Sequence, residues 1–525
     1  MKGLTLLLAL IFSTQLLARD TYFCRPELLN DIPAQQNGRV KPLYVHTTET
    51  IKYLSGSTKY EELDATTTYC LLTLKSASLP IDIKLKAKIE HVDVMKFLDL
   101  KDGEHYVDFD NLIDRRQDVR VEFMKQKEDS SYKKSLGTLM SQIAVYQNII
   151  SGQDWNLPEL NGSKIAWVPF NIFMSENKFK AAQETSSDPF TQIFMQTKAM
   201  AEKNVHTKYK FEYQFTKLHL HSWALVLTLL ALAFLVVFKK FNLALVATAL
   251  TMITQLVLIS GRVYISGRAP ITNMYETVMF SGFGALLLAM IIGHFKKEKT
   301  YLFMGLAYNM CTLMMMNFAT GMLSSSISPL VPVLRDNFWL STHVTTIIMS
   351  YGALALSWIL ANTVLFRRQF GGGLTSLDER YYSDLIYTTL KWGTIMLATG
   401  IILGGVWADY SWGRFWGWDP KETWSLIVLC LYMAILHGKY TSWIPTKRFV
   451  QLVAAAFMSV MMAWFGVNYI LASGLHSYGF SQGGALFLGS FFAIQILFLI
   501  ITANAKNNGP TDGGDSSDPK LVKNS

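Results

Sequence analysis

The chain has 525 residues, 50% of them hydrophobic and 17% charged, with a formal net charge of +9. Its length exceeds one average domain, and its four cysteines are too few for a disulfide-built scaffold. The positive charge sits in separate short loops between apolar runs rather than on one basic face, which argues against nucleic acid as the partner.

In chain order, Met1-Lys2 followed by the apolar stretch Leu4 to Leu17 reads as a signal peptide over residues 1–18, with cleavage near Ala18. Leu16 occupies a position where a small residue is preferred, so an uncleaved anchor is the alternative. Residues 19–217 are mixed in character and read as an extracytoplasmic α+β domain. The alternations Ile81-Asp82-Ile83-Lys84-Leu85-Lys86-Ala87 and Val119-Arg120-Val121-Glu122-Phe123 suggest strands, and a helical pattern covers Leu136–Ile150. Cys24 and Cys70 both lie in this portion and are available to pair. It carries no metal-ligand spacing and no nucleophile–base arrangement.

Residues 218–504 are dominated by apolar runs long enough to cross a bilayer, which takes about 20 residues. We read about nine spans, near 222–238, 243–261, 275–294, 301–323, 342–366, 387–406, 421–437, 449–471 and 484–503. Cys311 and Cys430 fall inside spans, as small apolar residues. Lys239 and Lys240, then Lys296, Lys297 and Lys299, then Arg367 and Arg368, then Lys439, Lys447 and Arg448 occupy alternate loops. The positive-inside rule puts those loops in the cytoplasm and the domain at 19–217 outside. Residues 505–525, rich in Gly, Asp, Ser and Lys, read as a disordered cytoplasmic tail. The expected fold is thus an all-α polytopic membrane protein with about nine transmembrane helices and an N-terminal extracytoplasmic α+β domain.

The loop expected at 407–424 lies on the outer side and contains Trp412-Gly413-Arg414-Phe415-Trp416-Gly417-Trp418-Asp419-Pro420-Lys421-Glu422-Thr423-Trp424. Four indoles so close together suit stacking on a flat, apolar ligand with an anionic edge, such as haem. Two plainer readings stand beside this one. Trp is enriched at membrane interfaces in any case, and Asp419, Pro420 and Glu422 form a helix start with a capping box.

The string resembles the tryptophan-rich WWD signature of haem-handling proteins in cytochrome c maturation, WGxxWxWDPxExW, with every fixed position filled. The run Ser266-Gly267-Arg268-Ala269-Pro270-Ile271-Thr272-Asn273-Met274-Tyr275-Glu276 resembles a second element of the CcsA/ResC-like members, and Asn37-Gly38-Arg39-Val40-Lys41-Pro42-Leu43 a short element of their larger forms. The resemblance covers roughly residues 220–503. It implies that His343 and His476, one before and one after the loop, are axial ligands of haem iron. In the arrangement we expect from this, Trp412, Trp416, Trp418 and Trp424 support the macrocycle and exclude water, Asp419 anchors the loop through its cap, and Arg414 either pairs a propionate or is a solvated surface residue. His437, at the inner end of the seventh span, corresponds to a histidine thought to accept haem from the inner side; a plain helix terminus is its other reading. His219, His221 and His294 receive no role.

The implied protein sits in a bacterial inner membrane with its Trp-rich loop facing the periplasm. It binds haem b non-covalently as substrate and serves as cytochrome c haem lyase, alone or with a ResB/CcsB-like subunit. Its other partners would be apocytochrome c, thiol-reducing proteins and the lipid bilayer. No CxxCH occurs, so the chain is not itself a c-type cytochrome. A haem delivery or export protein without synthase activity is the nearest alternative. An ion-coupled transporter is the alternative of another class, with Glu276 and Glu422 as the obvious membrane carboxylates.

Overall fold

The computed structural model describes residues 24–77, 81–101, 103–126, 130–174, 178, 182, 188–329, 336–471 and 484–503. The signal peptide expected at 1–18, the tail at 505–525 and His476 lie outside them. The chain forms two compact units, one of residues 1–219 with 326–329 and one of 220–325 with 330–525.

The first unit is α+β. Strands β1 (Pro33–Gln36), β2 (Arg39–Pro42), β3 (Asn156–Asn161) and β4 (Lys164–Pro169) form an antiparallel sheet in the order β2-β1-β3-β4. Asn37 and Gly38 close the first hairpin with φ of 52° and 78°, the left-handed pair that a two-residue turn matched to strand twist requires. Fully buried Trp155 stacks on Phe170 at 5.1 Å and Phe194 at 5.5 Å. Cys24 and Cys70 are joined in a fully buried disulfide. One expected strand is a helix: Val119–Phe123 lies inside Arg116–Lys125. The segment reads equally well at helical spacing, since Val119 is buried and Phe123 half-buried while Val121 is exposed. The alternation at 81–87 is real in burial, but the paired ladder is only Lys86–Lys88 against Tyr106–Asp108.

The second unit is helical: α1 (Leu220–Leu232), α2 (Phe241–Ser266), α3 (Met274–Lys296), α4 (Thr300–Phe318), α5 (Asn337–Phe370), α6 (Ser376–Trp412), α7 (Pro420–Tyr440), α8 (Thr446–Met461) and α9 (Gly484–Ala503). The chain is a multi-pass membrane protein, because 8 of its helices among the described residues, counting the π-helical turns that extend α1 to Val237 and α8 to Leu471, are long and apolar enough to cross a bilayer. The remaining expected span, α4, is 19 residues long, about 28 Å at helical rise. Asn309, Asn317, Tyr301 and Tyr308 dilute its apolar character. It packs against α1, α3 and α5, so that its polar groups are met by protein. Asn309 accepts from Gln255 Nε2 at 2.8 Å and donates to Thr228 Oγ1 at 3.2 Å, the kind of interhelical bond that holds helices together where water is absent.

The connector from α2 to α3 is held by a buried ion pair. Arg262 donates through Nε and Nη2 to Glu276 Oε1 at 3.2 and 2.7 Å, and through Nη1 to the Ser325 carbonyl at 3.0 Å. Glu276 Oε2 accepts from the Thr272 amide and hydroxyl at 2.9 and 2.8 Å. Asn273 caps α3 by accepting from the Glu276 amide. Two of the residues so fixed, Met274 and Thr277, line a cavity that also contains His343.

Removing one partner of a buried ion pair strands the other charge, at a cost of about 3 kcal/mol or more, whereas removing both is milder. Glu276→Gln is therefore expected to lower the melting temperature of the detergent-purified protein more than the double variant Arg262→Gln, Glu276→Gln. A double variant as unstable as the sum of the two singles would contradict a coupled pair.

Candidate functional site

The α6–α7 connection is shorter than the sequence indicates. Helix α6 continues through Trp407 to Trp412 and ends at Gly413, which takes the left-handed conformation at φ 68°. Asp419 caps α7, with Pro420 in its first turn. Its side chain accepts from the Lys421 amide at 2.9 Å and, in a reciprocal capping box, from that of Glu422. Glu422 Oε2 in turn accepts from the amides of Asp419 at 3.1 Å and Gly417 at 2.8 Å. One carboxylate thus gathers the end of the loop onto the first turn of the helix. Between the two helix ends, Trp418 sits at φ 56°, a costly conformation for a bulky residue, with its indole 69% exposed.

Behind the loop lies a cavity of about 110 Å³. α5 contributes His343, Ile347 and Tyr351, α6 contributes Ile401, Gly404 and Gly405, and the loop contributes Phe415 and Trp416. The first turns of α7 add Lys421, Glu422 and Ser425, and α3 adds Met274 and Thr277. The last wall is a π-helical extension of α8, Met462–Leu471, which supplies Trp464 and Asn468. Such wide turns recur at functional sites because they re-aim side chains. Here Trp464 Nε1 donates to Thr277 Oγ1 at 3.2 Å, and the Asn468 amide group donates to the Trp464 carbonyl at 2.7 Å.

His343 is held in one orientation. Its Nδ1 donates to the Gly400 carbonyl at 2.8 Å, which makes Nε2 the basic nitrogen. The ring fits because Gly404 has no side chain: a Cβ there would lie 2.6 Å from its Cε1. Gly405 similarly makes room for the Phe415 ring, 2.5 Å from where its own Cβ would be. Trp407 packs at 5.8 Å from the imidazole.

Of the residues singled out from sequence, His343 and Trp416 line this cavity together. Trp412, Trp424 and Asp419 are not among its walls, and Trp418 meets Trp416 edge-on at 6.0 Å while facing outward. Arg414 is exposed, with its guanidinium over Gly417. His437 is exposed near the far end of α7, its Nδ1 donating to the Met433 carbonyl at 2.8 Å. It lies 17 residues from Pro420, about 25 Å along the axis, so it belongs to a separate locus. Sequence reasoning missed Phe415 and Lys421 as cavity walls although both stand inside the Trp-rich string. It also missed the Gly404-Gly405 pair, which signals close approach within a span, and Asn468, a polar residue in an apolar run.

No group of three or more His, Cys, Asp or Glu side chains that could hold a metal ion occurs among the described residues. What the cavity does offer is one fixed imidazole, aromatic faces and a lysine.

Residues 271–476 match the family model described as cytochrome C assembly protein. The chain is 32% identical over 272 residues to the cytochrome c biogenesis protein CcsA of Guillardia theta, covering 46% of this chain and 89% of that one. It is 33% identical over 217 residues to the CcsA of Chlamydomonas reinhardtii, covering 40% of this chain and 61% of that one. Protein NrfI of Wolinella succinogenes is 36% identical over 229 residues, 42% of this chain and 24% of NrfI.

Gly404→Ala is expected to overpack the His343 site and cost about 1–3 kcal/mol. Gly489→Ala, in α9 where a Cβ meets nothing within 4 Å, is expected to be neutral or to stabilise by up to about 1 kcal/mol. Thermal unfolding of the two purified variants checks this, and equal melting temperatures would contradict the close approach.

Proposed function

The chain belongs to the CcsA family of cytochrome c biogenesis proteins, and from that premise we propose that it binds haem b in the cavity behind the Trp-rich loop and presents it for attachment to apocytochrome c. The observation that carries this reading is His343, fixed by the Gly400 carbonyl and lodged against Gly404 on the wall of a cavity with aromatic faces. An imidazole whose second nitrogen is anchored by a backbone carbonyl is the usual form of a metal-binding histidine. Haem is the substrate, not a resident cofactor. His343 supplies one axial imidazole and His476 the other, Phe415, Trp416 and Trp464 face the macrocycle and exclude water, and Trp418 shields its outward edge. Arg414, exposed on the loop, meets a propionate.

Attachment adds a cysteine S–H across each haem vinyl group: a C–S bond and a C–H bond form as the double bond is consumed, with no net transfer of electrons. The protein need supply no strong acid, only orientation of the ring and access for the two thiols of CxxCH. The incoming histidine of that motif replaces one axial imidazole and brings its cysteines to the vinyl edge. Thiol-reducing proteins keep those cysteines free. We assign His437 to a second, inner haem contact, completed by a ResB/CcsB-like subunit. Its exposure on a membrane helix supports a site that needs a partner. The bilayer is a bacterial inner membrane, with the Trp-rich loop on the periplasmic side and haem passing from the inner locus to the outer one.

The membrane carboxylates that would suit an ion-coupled transporter are both in structural use, Glu276 with Arg262 and Glu422 in the capping box. The distinction that matters is between attachment and delivery. Co-expression with an apoprotein bearing CxxCH and a ResB-like subunit is expected to give covalently bound haem on the apoprotein, reduced at least tenfold in His343→Gly and partly restored by added imidazole. Haem that stays extractable from the apoprotein under every condition would make the protein a delivery factor rather than a synthase.

A further inference from the structure

At the other end of α5 from His343, a second cavity of about 330 Å³ opens between four helical segments. Arg367 lies 24 residues beyond His343, about 36 Å along the helix. The floor is aliphatic and aromatic, made by Leu235, Val236, Phe303, Leu360 and Val364. The rim carries Lys299 and Arg367, with the hydroxyls of Thr300 and Tyr382.

The charge at this rim is only partly offset, since the one carboxylate of Glu298, bonded to Thr300, stands beside two cations. Arg367 donates through Nη1 to the Tyr382 hydroxyl at 2.6 Å, and Lys299 lies 4.6 Å over the Phe241 ring. Among the described residues neither reaches a carboxylate, whereas adjacent Arg368 is buried and paired with Glu379 at 2.8 Å. Glu298, beside the rim, already accepts from the Thr300 amide and hydroxyl at 3.0 and 2.7 Å. The start of α4 is therefore satisfied, and the attraction for an anion comes from the two side-chain cations. Arg367 is oriented by Tyr382, whose own O–H remains a donor.

We propose that this groove binds a phospholipid with an anionic headgroup, its phosphate between Lys299 and Arg367 and its acyl chains along the Leu235–Val236–Leu360–Val364 floor. The groove complements both halves of such a ligand. A basic rim above an apolar cleft between membrane helices matches an anionic lipid, and a soluble phosphate has no use for the cleft. No histidine or cysteine lines this cavity, so nothing there would hold haem iron.

Native mass spectrometry of the detergent-purified full chain, titrated with phosphatidylglycerol or phosphatidylcholine, tests the assignment. The wild type is expected to retain one phosphatidylglycerol in preference to phosphatidylcholine, and Lys299→Gln, Arg367→Gln to lose that preference about tenfold or more. Lys239→Gln, Lys240→Gln, which removes equal charge from the same end of the bundle outside the cavity, is expected to retain it. Should the first variant misfold, Val236→Trp, at a half-exposed position of the floor, fills the groove without changing charge and is expected to displace the lipid. Undiminished binding in variants that keep the wild-type melting temperature would overturn the proposal. So would displacement of the lipid by inorganic phosphate or by haem, which would assign the rim to a soluble anion or to the macrocycle.

Discussion

The candidate site depends on how closely α5 can approach α6. A histidine on one membrane helix can hydrogen-bond a carbonyl of its neighbour only where that neighbour has no side chains in the way, and Gly400 and Gly404 provide that clearance. The carbonyl at 400 is already committed to its own helix, yet it has a second lone pair to offer. In a lipid-surrounded bundle, where burying apolar surface gives helices no preference for each other over lipid, such close backbone contacts and interhelical bonds are what hold a geometry. They also fix the imidazole's tautomer, so the packing of the bundle and the chemistry of the site are set by the same few atoms.

Much of the architecture was legible because apolar runs of membrane length leave few options. The capping box at Asp419-Pro420-Lys421-Glu422 was legible for a local reason: its partners lie within one helical turn. The role of Glu422 in also holding the Gly417 amide was not, because that bond depends on the path of a loop. The Trp-rich string marked the site but not the duties of its members. Trp416 faces the cavity and Trp418 faces away although they are two residues apart, and the left-handed turn at Trp418 that separates them has no sequence signature when the residue is not glycine. In the N-terminal unit, Val119–Phe123 has the same letters at period two and at helical spacing, and only the contacts of Val119 and Phe123 decide between them.

The polar residues within the bundle fall into two kinds. Arg262 with Glu276, and Gln255 with Asn309 and Thr228, are bound to one another and serve packing. Lys421 and Asn468 reach the cavity at His343, where Glu422 both caps α7 and forms part of the wall, and Lys299 and Arg367 reach the groove at the far end of α5. Separating the two kinds takes coordinates, since the sequence marks every one of them equally as a polar residue in or beside an apolar run.

The central claim is that His343 carries haem iron, and an absorption spectrum of the purified protein, oxidised and reduced, tests it most directly. The account predicts a low-spin haem spectrum in the wild type that disappears or turns high-spin in a His343→Gly, His476→Gly double variant. Wild-type protein without haem, or a double variant whose spectrum is unchanged, would contradict it.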